Sequence, residues 1–486
     1  MKTLRSLFIL LFVAKASLAQ ILTSSPYSRY GLGEINSSTF ASSAALGGSF
    51  IAYHQDSIAP FFVNVANPAG LSGLRLSTFE LGGQAQFTKI SSNTLSVDKR
   101  NVNFSYATIG FPLKRFGGAA FGIMPYSTVG YKISSPKDEP SINGTVNYIF
   151  QGEGGINKVF LATGIKPFRS KEYRFYQSDL ADTLKYHHQV AKYKRIKFAK
   201  QLLSELSIGA SGNYLFGTIN QNTDLIYPGS ITYFNVKRQR ITQVSDFTAN
   251  GGLQTHFTID SVKYHGKDTL KRGKRVALKE RVKVGFGFYV NAPFNISAKQ
   301  STIIYNYAID GSGIERAKDT VLNSQENPGR IVLPMEMGFG MSVKKGERLT
   351  VLMDASTTNW SDFRYFETPN TTTKNSYRLS AGINYVPRKI AYGSSNYLKR
   401  VQYRLGFTYS DGYLDLKNTP ITNYALTAGL GLPVGTGRFD DIAVVNISAQ
   451  YGKMGTINNN LLQEDYFRLV VGFTFNKRWF VKYKYD

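Results

Sequence analysis

The chain has no cysteine, two tryptophans and five histidines in 486 residues. Without cysteine there is no disulfide, no thiolate metal site and no lipidated cysteine behind a leader. Past its first residues no apolar run approaches the ~18 residues that a membrane helix needs. The histidines (His54, His187, His188, His256, His265) include one adjacent pair, His187-His188, and neighbours on a strand diverge. No carboxylates cluster with them, so neither a metal nor another cofactor is expected. No residue is marked as a nucleophile and no strand pairs two acids in a catalytic setting, which speaks against an enzyme. Acid is scarce beside base, with 32 Asp and Glu against 58 Lys and Arg and a formal net charge of +26.

What the chain does have is 33 Phe, 31 Tyr and 45 Gly. Aromatic residues favour strands, and tyrosine also suits the membrane–water boundary. Residues 1–19 read as a secretory signal. Lys2 and Arg5 form the positive start, Leu7 to Ala14 the short apolar run, and cleavage is expected between Ala19 and Gln20. Export turns the basic charge away from nucleic acid. It points to outer-membrane lipid and lipopolysaccharide headgroups, or to an acidic periplasmic partner.

The most informative stretch is YFRLVVGFTFN at 466–476. Phe467, Leu469, Val471, Phe473 and Phe475 share one face; Arg468, Val470, Gly472, Thr474 and Asn476 share the other. The same two-faced pattern recurs at 74–90, 101–112, 118–131, 155–167, 206–217, 240–259, 282–293, 330–343, 349–360, 377–386, 401–410, 424–433 and 442–451. The expectation is an all-β fold, a 14-stranded antiparallel transmembrane β-barrel in the cell outer membrane, apolar outside and polar within. An even count returns both ends of the wall to one side. Short turns at 113–117, 344–348 and 435–441 are assigned to the periplasm. Longer loops at 132–154, 218–239, 294–329 and 361–376 are assigned to the exterior.

Residues 20–73, rich in Ser, Ala, Gly and Asn, do not read as strands and cannot lie against lipid. They are expected as an N-terminal hatch inside the lumen, with the barrel from 74 to 486. Phe50, Phe61, Phe62 and Val65 are candidates for a ligand pocket, with packing of the hatch itself as the alternative. Pro125 interrupts the third strand, where it removes a ladder donor; with Gly122 and Tyr126 it marks a kink or lateral opening. Two connections on the periplasmic side, 168–203 and 260–279, are long and basic. Lys271, Arg272, Lys274 and Arg275 in the second are candidates for docking a protein partner.

With Asn67, Pro68, Ala69 and Gly70 closing the hatch and Pro125 breaking the third strand, the chain resembles the FadL-like outer-membrane transport proteins. The opening SPYSRYGLG and the ending WFVKYKYD resemble the Bacteroidota branch, which also holds the type IX secretion shuttle PorV. The resemblance implies a hatch ending at Asn67–Gly70 and a wall gap at the third strand, with passage of hydrophobic small molecules or lipids. The basic insertions depart from a plain uptake channel. They leave a second expectation open: a non-transporting platform for a periplasmic or outer-membrane partner in secretion, lipopolysaccharide export or outer-membrane protein assembly.

Overall fold

The computed structural model describes residues 25–36, 40–55, 60–113, 116–140, 144–168, 202–227, 233–267, 275–310, 312–346, 348–366, 368–369, 372–387, 397–434 and 441–479. For 260–267, 275–281 and 441 it describes the backbone alone. The leader with Ala19 and Gln20 lies outside these residues, as do Lys271, Arg272 and Lys274 and nearly all of the 168–203 connection.

The long strands are β1 (Ser77–Ser91), β2 (Ser96–Leu113), β3 (Gly117–Glu139), β4 (Gly144–Ile165), β5 (Ser207–Ile226), β6 (Asn235–Lys267), β7 (Arg275–Asn291) and β8 (Phe294–Ile309). They continue as β9 (Glu315–Leu333), β10 (Glu336–Lys345), β11 (Leu349–Thr358), β12 (Ser376–Tyr385), β13 (Gln402–Ser410), β14 (Asn423–Val434), β15 (Asp441–Gly455) and β16 (Gln463–Lys477). Fourteen of them, β1–β7 and β10–β16, form one antiparallel wall. It closes where β1 pairs β16, from Ser77↔Lys477 to Ser91↔Gln463. The end at Ser77 and Lys477 is called the near end, and that at Ser91 and Gln463 the far end.

The faces of the wall are inverted relative to a soluble protein. Leu161 (67% exposed), Phe247 (70%), Leu405 and Leu426 point outward, whereas Thr78, Glu80, Asn446, Ser448, Thr474 and Asn476 are buried inside. A period-2 strand with apolar side chains outward and polar ones inward is stable where lipid is the outer solvent. On β16 Phe467, Phe473 and Phe475 are exposed, while Val470, Thr474 and Asn476 are buried.

Four connections differ from their sequence reading. The stretch 294–329 is not a loop but the β8–β9 hairpin, which pairs internally from Phe294↔Leu333 to Ile309↔Glu315. It leans on β6 from Asn235↔Tyr307 to Val244↔Ala298. The ladder also continues through much of 132–154 and 218–239, because β3–β6 run well past their apolar portions. Residues 260–279 are largely a paired extension of β6 and β7, from Asp260↔Arg281 to Lys267↔Arg275, so Arg275 opens a strand. In these stretches polar residues predominate and apolar ones such as Ile303 and Ile304 fall side by side, which blurs the alternation that marks a strand in sequence. The expected eighth strand, 330–343, is interrupted at Pro334 and Met335 between β9 and β10.

Candidate functional site

The described residues between 25 and 76 run through the interior of the wall and bond to strands all round it. Phe50 N and Ile51 N donate to Asp354 Oδ2 on β11 at 2.6 and 2.9 Å. Val63 N donates to Glu80 on β1, and Phe61 N to Asn476 on β16, each at 2.9 Å. Ser72 meets Ser207 on β5 at 2.8 Å, Ser49 meets Ser380 on β12 at 2.9 Å, and Gly47 N donates to Thr427 on β14 at 3.0 Å. These buried polar partners satisfy a segment whose backbone is not in a ladder.

Asn67 shows why the residue type matters. Its Oδ1 accepts Ala69 N at 3.1 Å, which caps the 3-10 turn Pro68–Gly73. Its Nδ2 donates to Ile51 O and, across to β6, to Leu253 O, both at 3.0 Å. One side chain thus closes the turn and ties it to the wall. Pro68 follows at the first helical position, where its missing N–H costs nothing. Ala69 is fully buried, and a Cβ at Gly70 would meet Asn64 Nδ2 at 2.8 Å.

The close approach depends on glycines in the wall. A Cβ on Gly209 would lie 2.2 Å from Ala69 N, and one on Gly252 2.1 Å from Asn67 Oδ1. One on Gly287 would lie 2.3 Å from Ile51 O, and one on Gly406 2.3 Å from Gly47 N. The positions belong to β5, β6, β7 and β13, so the belt surrounds the segment. A larger side chain at Gly209, Gly287 or Gly406 would collide with backbone, and one at Gly252 with the Asn67 side chain that caps the turn.

Of the pocket candidates, Phe50 and Phe62 pack with Leu46 and Leu352, and Phe61 packs with Leu71, Leu74 and Phe160. All three are buried packing groups. Arg404, buried and bonded to Asn446 at 2.8 Å, sits over the Phe62 ring at 5.6 Å. Val65 alone of the four borders the interior cavity, which has a volume of about 440 Å³. That cavity is bordered by Tyr126, Met124, Trp360 and Tyr413, but also by Glu34, Lys158, Glu336, Arg378 and Arg468. Its lining is therefore amphipathic. Glu336 is engaged by Tyr289 and by Asn291 Nδ2 at 2.7 Å, and Arg468 meets Glu34 at 3.4 Å.

Beside the cavity the wall has a seam. β2 and β3 pair from Leu113↔Gly117 only as far as Ala107↔Ile123, two residues before Pro125. Beyond that point β2 continues to pair with β1, and β3 with β4. Pro125 has no N–H, and the register of β3 slips between Pro125 and Ser127, leaving Tyr126 as a bulge. The N-terminal segment stands in for β2 on this edge: Glu34 and Ile35 pair with Thr128 and Ser127, and Asn36 N donates to Tyr126 O at 3.0 Å. Ser28 Oγ completes the edge by accepting Gly130 N at 3.1 Å. Pro125 and Tyr126 border the cavity, whereas Gly122 remains in the ladder opposite Thr108. Sequence reasoning marked the proline but missed the surrogate strand, since nothing in GLGEIN is strand-like.

Towards the near end the His54 ring lies tilted against His256 with ring centroids 3.7 Å apart, and His256 Nε2 lies 3.5 Å from Glu205, which also holds Lys166. Among the described residues no cluster of three or more potential ligands could hold a metal. His54, on the N-terminal segment, is held well below the usual histidine range by burial first and then by the charges of His256 and Lys166. A base with a depressed folded pKa binds fewer protons folded than unfolded. Its neutral form therefore supports the seated segment above the unfolded value, ~6.5, and that support is lost as pH falls below it. Protease protection of the N-terminal segment should fall between pH 7.5 and 5.5, and His54→Gln should flatten this dependence. An equal slope in the variant would assign the effect elsewhere.

A closed fourteen-stranded barrel, apolar outside and occupied inside by its own N-terminal segment, defines an outer-membrane β-barrel protein. The model of the BamG family matches residues 1–173 and 193–486, and the chain belongs to that family. Similar solved structures include the toluene transporter TbuX of Ralstonia pickettii, at 12% identity and a TM-score of 0.47, covering 90% of this chain and 97% of that one. The CymD monoaromatic hydrocarbon channel has 13% identity and a TM-score of 0.44, over 92% and 99%. The toluene transporter TodX of Pseudomonas putida has 14% and 0.43, over 92% and 98%. No curated protein matches the sequence.

Proposed function

We propose that this protein is a platform barrel whose lumen is plugged by residues 25–76, and which holds a protein partner at its periplasmic, near end. The observation that carries this reading is the way the segment is fastened. Buried side chains on strands around the whole wall hold its backbone, and a belt of glycines admits that backbone without slack. A hatch that moves aside would have to leave many buried polar groups unpaired, at about 1–3 kcal/mol each. We assign the near end to the periplasm on its short turns at Leu113–Gly117 and Lys345–Leu349 together with the far-end extension of β3–β6, which suits the exterior. Of secretion, lipopolysaccharide export and outer-membrane protein assembly, the last accords with the Bam label that the family carries.

A second reading, passage of a hydrophobic or lipid-like molecule into the membrane, is favoured by one observation: the seam at Pro125 beside the cavity. The charged lining suits an amphiphile better than a pure hydrocarbon.

Native purification in mild detergent, with mass spectrometry of all bound protein and lipid, separates the two. The expected result is a stoichiometric protein partner, lost when Lys271, Arg272, Lys274 and Arg275 are all changed to Gln in a barrel that stays folded. A stoichiometric fatty acid or lipid with no protein would overturn the platform in favour of passage.

A further inference from the structure

The far ends of β3–β6 carry a second set of residues that neither reading uses. Two rows cross their inner face in register. One runs Tyr131–Gly152–Gln221–Arg240, and the next runs Ile133–Phe150–Thr223–Arg238. Between the aromatic and the arginine stand Gly152 and Gln221 in one row and Thr223 in the other; the Tyr131 ring covers Gly152, so the shallow trough lies over Gln221 and Thr223. A third arginine, Arg29 of the N-terminal segment, lies over the Phe150 ring at 3.8 Å. Gln221 donates to Arg29 O at 3.5 Å, which ties that segment to the trough.

The three guanidinium groups are close enough for Arg238 to feel the charges of both Arg240 and Arg29. Among the described residues neither Arg238 nor Arg240 has a carboxylate partner, and Arg240 Nε is buried with no hydrogen-bond acceptor. The outer face of the same strands is different. There Lys237 pairs with Asp224 at 3.5 Å and also with Glu315. The acids of this region are thus spent outside, and the inner face is left with unbalanced positive charge. Arginine is exposed at Arg238 and half-buried at Arg240 and Arg29, so an ion can reach the cluster from the mouth of the barrel.

We propose that Arg29, Arg238 and Arg240 form a binding site for a phosphate-bearing anion at the far mouth. Guanidinium groups present planar forks that match phosphate oxygens two at a time, and burial of Arg240 Nε makes an unfilled donor costly. Tyr131, fixed over Gly152, closes one side; a Cβ on Gly152 would lie 2.2 Å from its ring. On the orientation given above the site faces the cell exterior, where phosphate is carried by lipid headgroups of the outer leaflet or by soluble phosphate compounds.

The test is calorimetry on the full-length barrel in neutral detergent, with inorganic pyrophosphate in one arm and diphosphorylated lipid A in mixed micelles in the other. Dephosphorylated lipid A is the control. Wild type should bind pyrophosphate more weakly as salt rises, and Arg238→Gln/Arg240→Gln should weaken binding by about tenfold or more. The variant must keep the heat-modifiable migration of a folded barrel. Lys299→Gln, which removes a cation from the outer face of the hairpin, should leave binding unchanged. Binding of both probes, or of lipid A alone, with loss in the double variant assigns the site to a headgroup. Binding of pyrophosphate alone assigns it to a soluble anion. If neither probe binds, or if the double variant and Lys299→Gln behave alike, the site does not exist as proposed.

Discussion

Replacing Gly209 and Gly252 together by valine should unseat the N-terminal segment from the near half of the barrel, whereas Gly212→Val, on the same strand as Gly209, should change nothing. The contrast follows from what each new Cβ would meet. At Gly209 it meets Ala69 N at 2.2 Å, and at Gly252 Asn67 Oδ1 at 2.1 Å; at Gly212 nothing lies within 4 Å. Gly212 is exposed on the outer face of β5, where valine merely adds apolar surface towards lipid. Overpacking costs about 1–3 kcal/mol where a side chain can turn aside. Here the obstacles are the backbone and the capping side chain of one 3-10 turn, so the two costs fall on the same element and relief requires that the turn itself withdraw. Withdrawal breaks the Asn67 bonds to Ile51 and Leu253 and the Ser72–Ser207 contact. The loss should therefore exceed roughly 3 kcal/mol and read out as rapid proteolysis of residues 25–76 in a wall that still migrates as a folded barrel. Retained protection in the double variant would mean that the belt is looser than its geometry implies, and would weaken the platform reading with it.

The wall was legible because lipid and a polar lumen impose opposite demands on alternate residues. YFRLVVGFTFN on β16 states both demands within eleven positions, and the fourteen strands were counted from the same signal. Legibility stopped where lipid stops. Above the apolar portion of β5 and β6, residues 218–226 and 235–244 face water or other protein on both sides, and their ladder is invisible to periodicity. The β8–β9 hairpin was lost for the same reason. Inside the lumen, Asn67–Gly70 stood out as a short motif, but the sense of Asn67 lies in carbonyls of Ile51 and Leu253, which only the fold brings near. Each glycine of the belt faces a residue more than a hundred positions away along the chain, so no local pattern could have disclosed it. Phe50, Phe61 and Phe62 carry the composition of a pocket, and composition does not say whether neighbours leave room. The arginine trough depends on strand register alone and has no counterpart along the chain.

Locking the N-terminal segment to the wall should stabilise the protein and leave partner binding at the wild-type level. The chain lacks cysteine, so each pair introduced is the only thiol pair present. Ser72 and Ser207 face one another with their Oγ atoms 2.8 Å apart, and Ser49 and Ser380 at 2.9 Å. In both contacts the two side chains already point at each other, which is the first requirement for a disulfide in their place. Ser72→Cys/Ser207→Cys joins the segment to β5 and Ser49→Cys/Ser380→Cys joins it to β12, on different sides of the lumen. Each oxidised pair closes a loop of more than a hundred residues, for which chain entropy sets a gain of roughly 5 kcal/mol. Thermal unfolding in detergent should shift upward on oxidation and return on reduction. The functional arm separates the two readings by a wide margin. A platform needs its plug in place, so each oxidised lock should bind the partner recovered with wild type and support cells as well as its reduced form. A channel whose plug moves would lose transfer of a fatty-acid probe to the membrane by at least about tenfold on oxidation, and regain it with reductant. Equal partner binding in both redox states, without reductant-sensitive transfer, is the result the fastening predicts; a reversible block of transfer would return the molecule to the channels.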